Sequence, residues 1–203
     1  KKMEKVMKKS LTILLTVISL QALCSGETNP RIFLYGEVHG VKPIYEAELE
    51  VWQNYYSNQN MRHLFVEFGY GTTKLLNQWM QADDDAILLQ IYDNWEGTKA
   101  HNEYNLEFLK NIKRTCPETI FHGTDVGHQF ETTDSMWLHQ LEENGLKDTE
   151  EYLISVENIQ QAKDYYKSDN DAFRENCMAA NFIREFDSLP EDEKIMGIYG
   201  NAH

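Results

Sequence analysis

The sequence predicts an α/β domain with a mainly parallel sheet flanked by helices. Three observations predict it: four short β-rich runs lie far apart, each is followed by glycine with charged or imidazole residues, and helical patterns fill the stretches between. The runs are 31–35 (RIFLY), 63–66 (HLFV), 119–121 (TIF) and 194–199 (KIMGIY). Their apolar cores lack strict alternation, which is the pattern of strands covered on both faces. A first helix is expected at 44–56, where Pro43 suits the opening turn. A second is expected at 72–80, capped by Thr72 or Thr73, with Leu75, Leu76 and Trp79 sharing a face. Further helices follow at 84–95, 102–114, 133–143, 149–167 and 171–187. The helix pairs before the third and fourth runs exceed a simple crossover and read as helical insertions. In open sheets of this class ligands sit beyond the carboxyl ends of the strands, and all four polar clusters fall there.

The 203 residues carry 33 acidic and 19 basic side chains, net −14. That length suits one domain, and an aromatic share of 12% argues against disorder, because such a chain can bury enough surface to fold. Residues 1–26 hold five Lys and one Glu, so the remainder is net −18. A phosphate backbone is repelled by such a body, and nucleic acid is excluded as a partner. Residues 1–26 read as a signal peptide: Lys8 and Lys9 precede a 13-residue apolar run at 11–23, too short for a bilayer at ~20 residues. The protein is therefore expected to be exported, with a single domain over 27–203 and no membrane span. Lipid attachment at Cys24 is an alternative that Leu23 fits poorly. Cys116 and Cys177 read as buried thiols, with a disulfide the less favoured reading in an oxidising compartment. Because the sequence opens on Lys1 and stops at His203 after a strand-like run, a truncated C-terminus is also an expectation.

Four positions carry the chemistry. In GEVHG, Glu37 and His39 stand two apart between glycines, so a tight turn leaving a strand can aim both into one cavity. The plainer reading has Glu37 capping the next helix and His39 on the surface. Glu67 ends a buried strand and must meet a cation, donors or a metal; Arg62 and Lys74 are the ordinary salt-bridge partners. His122 and Asp125 in HGTD could orient one another or a ligand, or Asp125 could simply bond its own backbone in a turn. Asn201 and His203 follow the last strand.

A strand ending in GE-x-H, a second in apolar-Glu-apolar, a third in HGTD, a helix reading RENCMAAN (174–181) and a strand ending in GNAH together resemble the erythromycin esterase-like superfamily. That group also takes in ChaN-like haem-uptake proteins and Tiki-type proteases. The resemblance spans residues 32–203 and implies an α/β fold with a pocket at the strand ends, where Glu and His act on water. It places His39 as general base, matches Glu37 and Glu67 to the acidic positions and His203 to the late His, and lets Arg174 and Asn181 line the site. The sequence departs from the esterases in three ways. Glu37 and His39 are two apart rather than three, no Arg lies between His39 and Arg62, and Gly200 stands where another His is usual. Macrolide hydrolysis is therefore not expected.

The favoured expectation is a metal-independent hydrolase acting on an ester, lactone or amide small molecule. Glu37, His39, Glu67 and His203 are its catalytic candidates, with His122, Asp125, Arg174 and Asn181 binding substrate. One rival makes Glu67, His39 and His203 ligands of Zn²⁺ or Mn²⁺ with Glu37 as base, as in a Tiki-type protease. Another is a haem or small-ligand binder with a Tyr such as Tyr70 or a His as axial ligand. No G-x-S-x-G elbow or P-loop supports a serine hydrolase or nucleotide enzyme. The pair Tyr165 and Tyr166 reads as a core or interface face, and the run 83–85 as a helix start rather than a calcium site. No oligomeric state follows from the sequence.

Overall fold

The structure, a computed structural model, describes residues 30–201. The expected signal peptide and His203 lie outside the described residues. Strand β1 (Ile32–Glu37) leads through helix α1 (Lys42–Gln59) to β2 (His63–Val66). Helices α2 (Tyr70–Gln81), α3 (Ala86–Asn94) and α4 (Glu103–Thr115) precede β3 (Ile120–Gly123). Helices α5 (Thr133–Glu143), α6 (Glu150–Ser168) and α7 (Asp171–Asp187) precede β4 (Ile195–Gly200). The sheet is parallel throughout, in the order β1-β4-β2-β3, so the last strand sits between the first two.

Register sorts the strand side chains onto two faces. Leu64, Phe121 and Met196 stand level and enter the main core with Trp52, Leu76, Trp79 and Ile112. On the other face Phe65 meets Phe182 of α7, ring centroids 5.1 Å apart. Gly197 stands level with Leu34 and Phe65; a Cβ there would come within 2.5 Å of the Leu34 side chain. Double coverage, expected for every strand, fails at β1. This edge strand alternates, and Leu34 is 58% exposed.

The cap expected for α2 also differs. The helix begins at Tyr70, earlier than Thr72, and has no local side-chain cap. Instead Asp134 of α5 accepts from the Thr72 N–H (2.9 Å) and hydroxyl (3.1 Å), and Asn158 of α6 accepts from the Tyr70 N–H (3.0 Å). The inserted helices thus satisfy orphan donors that a nearby Ser or Thr usually takes. Gly127 allows this approach, because a Cβ on it would lie 2.6 Å from Asp134 Oδ2. The acidic run does open a helix, with Asp84 accepting from the Ala86 N–H at 3.0 Å. Cys116 and Cys177 are separate buried thiols.

Candidate active site

The carboxyl ends of the parallel strands converge on a cavity of about 280 Å³. Glu37 closes β1; Asn201 donates its N–H to the Glu37 carbonyl (2.9 Å) and so binds the end of β4 to it. Glu67 follows β2. The loop after β3 is laced to the loop after β2: the Thr124 N–H reaches the Val66 carbonyl (3.3 Å) and the Asp125 N–H the Phe68 carbonyl (3.1 Å). Glu37, His39, Glu67, Asp125 and Arg174 all line the one cavity.

Two arrangements occupy it. In the first, His39 Nδ1 lies 2.8 Å from Glu37 Oε1. A carboxylate can only accept, so Nδ1 carries the proton and Nε2 keeps its lone pair. The bond to Glu37 raises the His39 pKa above its ordinary value, with burial opposing and the Glu37 charge assisting. Glu37 caps no helix; α1 starts after Val41 without a side-chain cap.

In the second, Arg174 of α7 gathers two acids. Its Nη2 donates to Glu67 Oε1 (2.6 Å) and Asp125 Oδ2 (2.5 Å), and its Nε donates to Asp125 Oδ1 (3.0 Å). Glu67 Oε2 accepts from the Gly200 N–H at 2.6 Å. Burial pushes Asp125 up, but the His128 and Arg174 bonds outweigh it and hold the carboxyl below its ordinary value. The ordinary partners suggested for Glu67 are engaged elsewhere: Arg62 with Glu118 (2.8 Å) and Lys74 with Glu151 (3.5 Å).

The chain resembles an erythromycin esterase in fold. Its structure superposes on a variant of the esterase EreC in its open conformation with a TM-score of 0.57 and 12% sequence identity. The match covers 84% of this chain and 60% of that one, so this chain spans well under two thirds of its neighbour's length. A Bacillus cereus protein matches with a TM-score of 0.43 at 13% identity, over 85% of this chain and 57% of its own. No protein-family profile matches the sequence, and no curated protein matches it either. The likeness is one of distant architecture.

Not every candidate reaches the cavity. His122 stands level with Phe65 on the other face of the sheet, stacked on that ring (4.6 Å). Its Nδ1 meets Glu185 Oε2 at 2.8 Å and its Nε2 meets His63 Nδ1 at 2.9 Å, so it neither orients Asp125 nor lines the cavity. Strand alternation decides this, since His122 and Phe121 must point oppositely. Asn181 acts at one remove, donating to the Thr124 carbonyl (3.2 Å). Asp125 does bond its own turn, accepting from the Val126 N–H (2.7 Å), while also holding Arg174. Tyr70 is buried beneath Lys74, 4.6 Å from its ring centre, and is absent from the cavity wall. Of the metal set Glu67, His39 and His203, the third member lies outside the described residues. Glu67 is engaged by Arg174 and Gly200, and no three His, Cys, Asp or Glu side chains among the described residues converge to hold an ion.

The cavity also holds residues that the sequence reading passed over. His128 Nε2 donates to Asp125 Oδ2 (3.0 Å), and its Nδ1 lies 2.6 Å from the Tyr166 hydroxyl, which brings Tyr166 to the wall rather than into a core. The three-residue spacing of Asp125 and His128 was the available signal. Glu48 is the other. It shares the buried stripe of α1 with Tyr45 and Trp52, at i+3 and i−4, where an acid is out of place.

Proposed function

We propose that the chain is a hydrolase in which Glu37 and His39 activate water against a carbonyl substrate held in the strand-end cavity. One observation carries the reading: the 2.8 Å contact of His39 Nδ1 with Glu37 Oε1 inside a cavity that also holds Arg174. Glu37 fixes the imidazole with its proton on Nδ1, leaving Nε2 to take a proton from water. The resulting hydroxide forms a bond to the carbonyl carbon, and the carbonyl π pair moves onto oxygen. Arg174 Nη1, which makes none of the bonds to Glu67 or Asp125, is the donor available to that oxyanion. As the carbonyl re-forms, the bond to the leaving oxygen or nitrogen breaks, and the His39 imidazolium returns the proton to it. Glu67 and Asp125 keep Arg174 in place. The distant structural likeness to an esterase agrees with this chemistry without naming a substrate.

The test is turnover of ester, lactone and amide substrates by the unaltered protein and by His39→Ala. Hydrolysis by the former and a loss of ~10²–10⁴ in the latter are expected. Equal rates, or no turnover of any substrate by the unaltered protein, overturn the proposal.

A further inference from the structure

Charge is unevenly answered around the cavity. Four carboxylates line it: Glu37, Glu48, Glu67 and Asp125. Arg174 answers the last two, and His39 takes one oxygen of Glu37. That leaves Glu37 Oε2 and both oxygens of Glu48 buried without a hydrogen-bond partner among the described residues. Glu48 is 6% exposed and Glu37 9%, so both acids are withdrawn from bulk solvent. Lys99 also lines the cavity, but it is an exposed residue, and its charge reaches His39 only as a minor influence.

The walls beside these acids are aromatic. Phe68 and Trp95 stack at 4.9 Å, Tyr45 and Phe108 lie 5.7 Å apart, and all four rings line the cavity. Two buried acids without donors among the described residues, set among π-faces, are the reception a compact cation needs. A divalent ion is the poorer fit, since no trio of ligating side chains converges among the described residues. An anion would meet the unpartnered oxygens of Glu37 and Glu48, while the guanidinium of Arg174 is already shared between Glu67 and Asp125.

We propose that this cavity recognises a protonated amine, held by Glu37 Oε2 and the Glu48 carboxylate against the aromatic wall. The inference deepens the hydrolase reading by naming a feature of its substrate, and it rests on that reading only in sharing the cavity. In the free protein Glu48 keeps its proton up to about 8, chiefly through burial and secondarily through the Glu37 charge, with His39 opposing. Tyr45 on its own helix and Lys99 from the loop between α3 and α4 also line the space, as do Glu67, Asp125, Arg174 and His128. An arriving ammonium favours the ionised form of Glu48. Binding therefore releases a proton, and affinity rises with pH below about 8.

The experiment is calorimetric titration of the unaltered protein with 2-phenylethylammonium, its neutral counterpart 2-phenylethanol and the anion 3-phenylpropanoate. The ammonium is expected to bind at least about tenfold tighter than the alcohol, and the anion weakest. Its affinity should climb from about pH 6 to about pH 8, with heats that vary with the buffer as a proton is released. Glu48→Gln, checked for folding by its melting curve, should lose about tenfold for the ammonium and little for the alcohol. Equal or tighter binding of alcohol or anion by the unaltered protein overturns the inference, as does full ammonium affinity in folded Glu48→Gln. None of these readouts needs turnover. An inactive but amine-selective protein sinks the hydrolase reading alone, and an active, unselective one sinks the amine alone.

Discussion

Arg174 grips Asp125 with two parallel bonds, Nε to Oδ1 at 3.0 Å and Nη2 to Oδ2 at 2.5 Å, although 49 residues separate them in the chain. The Asp125 side chain is fully buried and Glu67 nearly so. Removing the guanidinium takes from two buried acids the cation they share, and Arg174→Ala should lose about 3–5 kcal/mol in denaturant unfolding. Arg174→Lys keeps the charge but not the fork and should fall between. A loss under about 1 kcal/mol for Arg174→Ala would show that the clamp contributes no more than a surface pair.

The Glu37–His39 contact sets a pH profile. Its folded pKa is raised, so His39 holds its proton to higher pH than a free imidazole and works as a base only once that proton leaves. The acid limb of kcat/KM for any hydrolysed substrate should lie above about 6.5. Glu37→Gln, which removes the charge and the accepting carboxylate, should shift that limb downward. A limb that stays put would detach Glu37 from the base.

On the far face, burial and then the neighbouring His122 hold His63 down to about 4. The unfolded chain therefore binds more protons than the folded one between about 4 and 6.5, so stability should fall as pH drops through that window. A decrease approaching ~3 kcal/mol is the upper bound for this one group. Glu193, 3.8 Å away, and the His122–Glu185 pair temper it. Urea unfolding at several pH values should show the slope in the unaltered protein and a flatter one in His63→Gln.

Asp134 closes the start of α2 from a distance. Asp134→Ala frees the Thr72 N–H and hydroxyl and should cost about 1–2 kcal/mol. Asp134→Asn, able to accept through the same oxygen, should recover much of it. Hydrogen exchange at Thr72 would report the loss locally, faster in the Ala variant than in the Asn one.

Much of this was legible where function and local pattern coincide. Glu37 and His39 share one short turn, and the strand runs are apolar and bounded by glycine, so local pattern alone points to the strand ends. Arg174 and Asn181 were legible only through the family resemblance, since nothing in a helix sequence says which loop its Arg will reach. His122 misleads because Asp125, three residues further on, does belong at the cavity, while pleating turns His122 to the opposite side. Glu48 hides for the reverse reason. It looks like one more surface acid in an acidic chain, and only the register of Tyr45 and Trp52 betrays that its face is inward. The cap of α2 could not be anticipated either, because Asp134 is 62 residues from the N–H that it satisfies.

The place of β4 has a consequence for how the chain is made. As residues leave a ribosome in order, β1 and β2 emerge early yet touch no common edge until the segment ending at Gly200 slides between them. Until then the residues from β1 to α7 wait with an open seam in the sheet. A stop before Ile195 would leave that seam permanently unfilled, and the nascent product would be one for proteases and chaperones to handle.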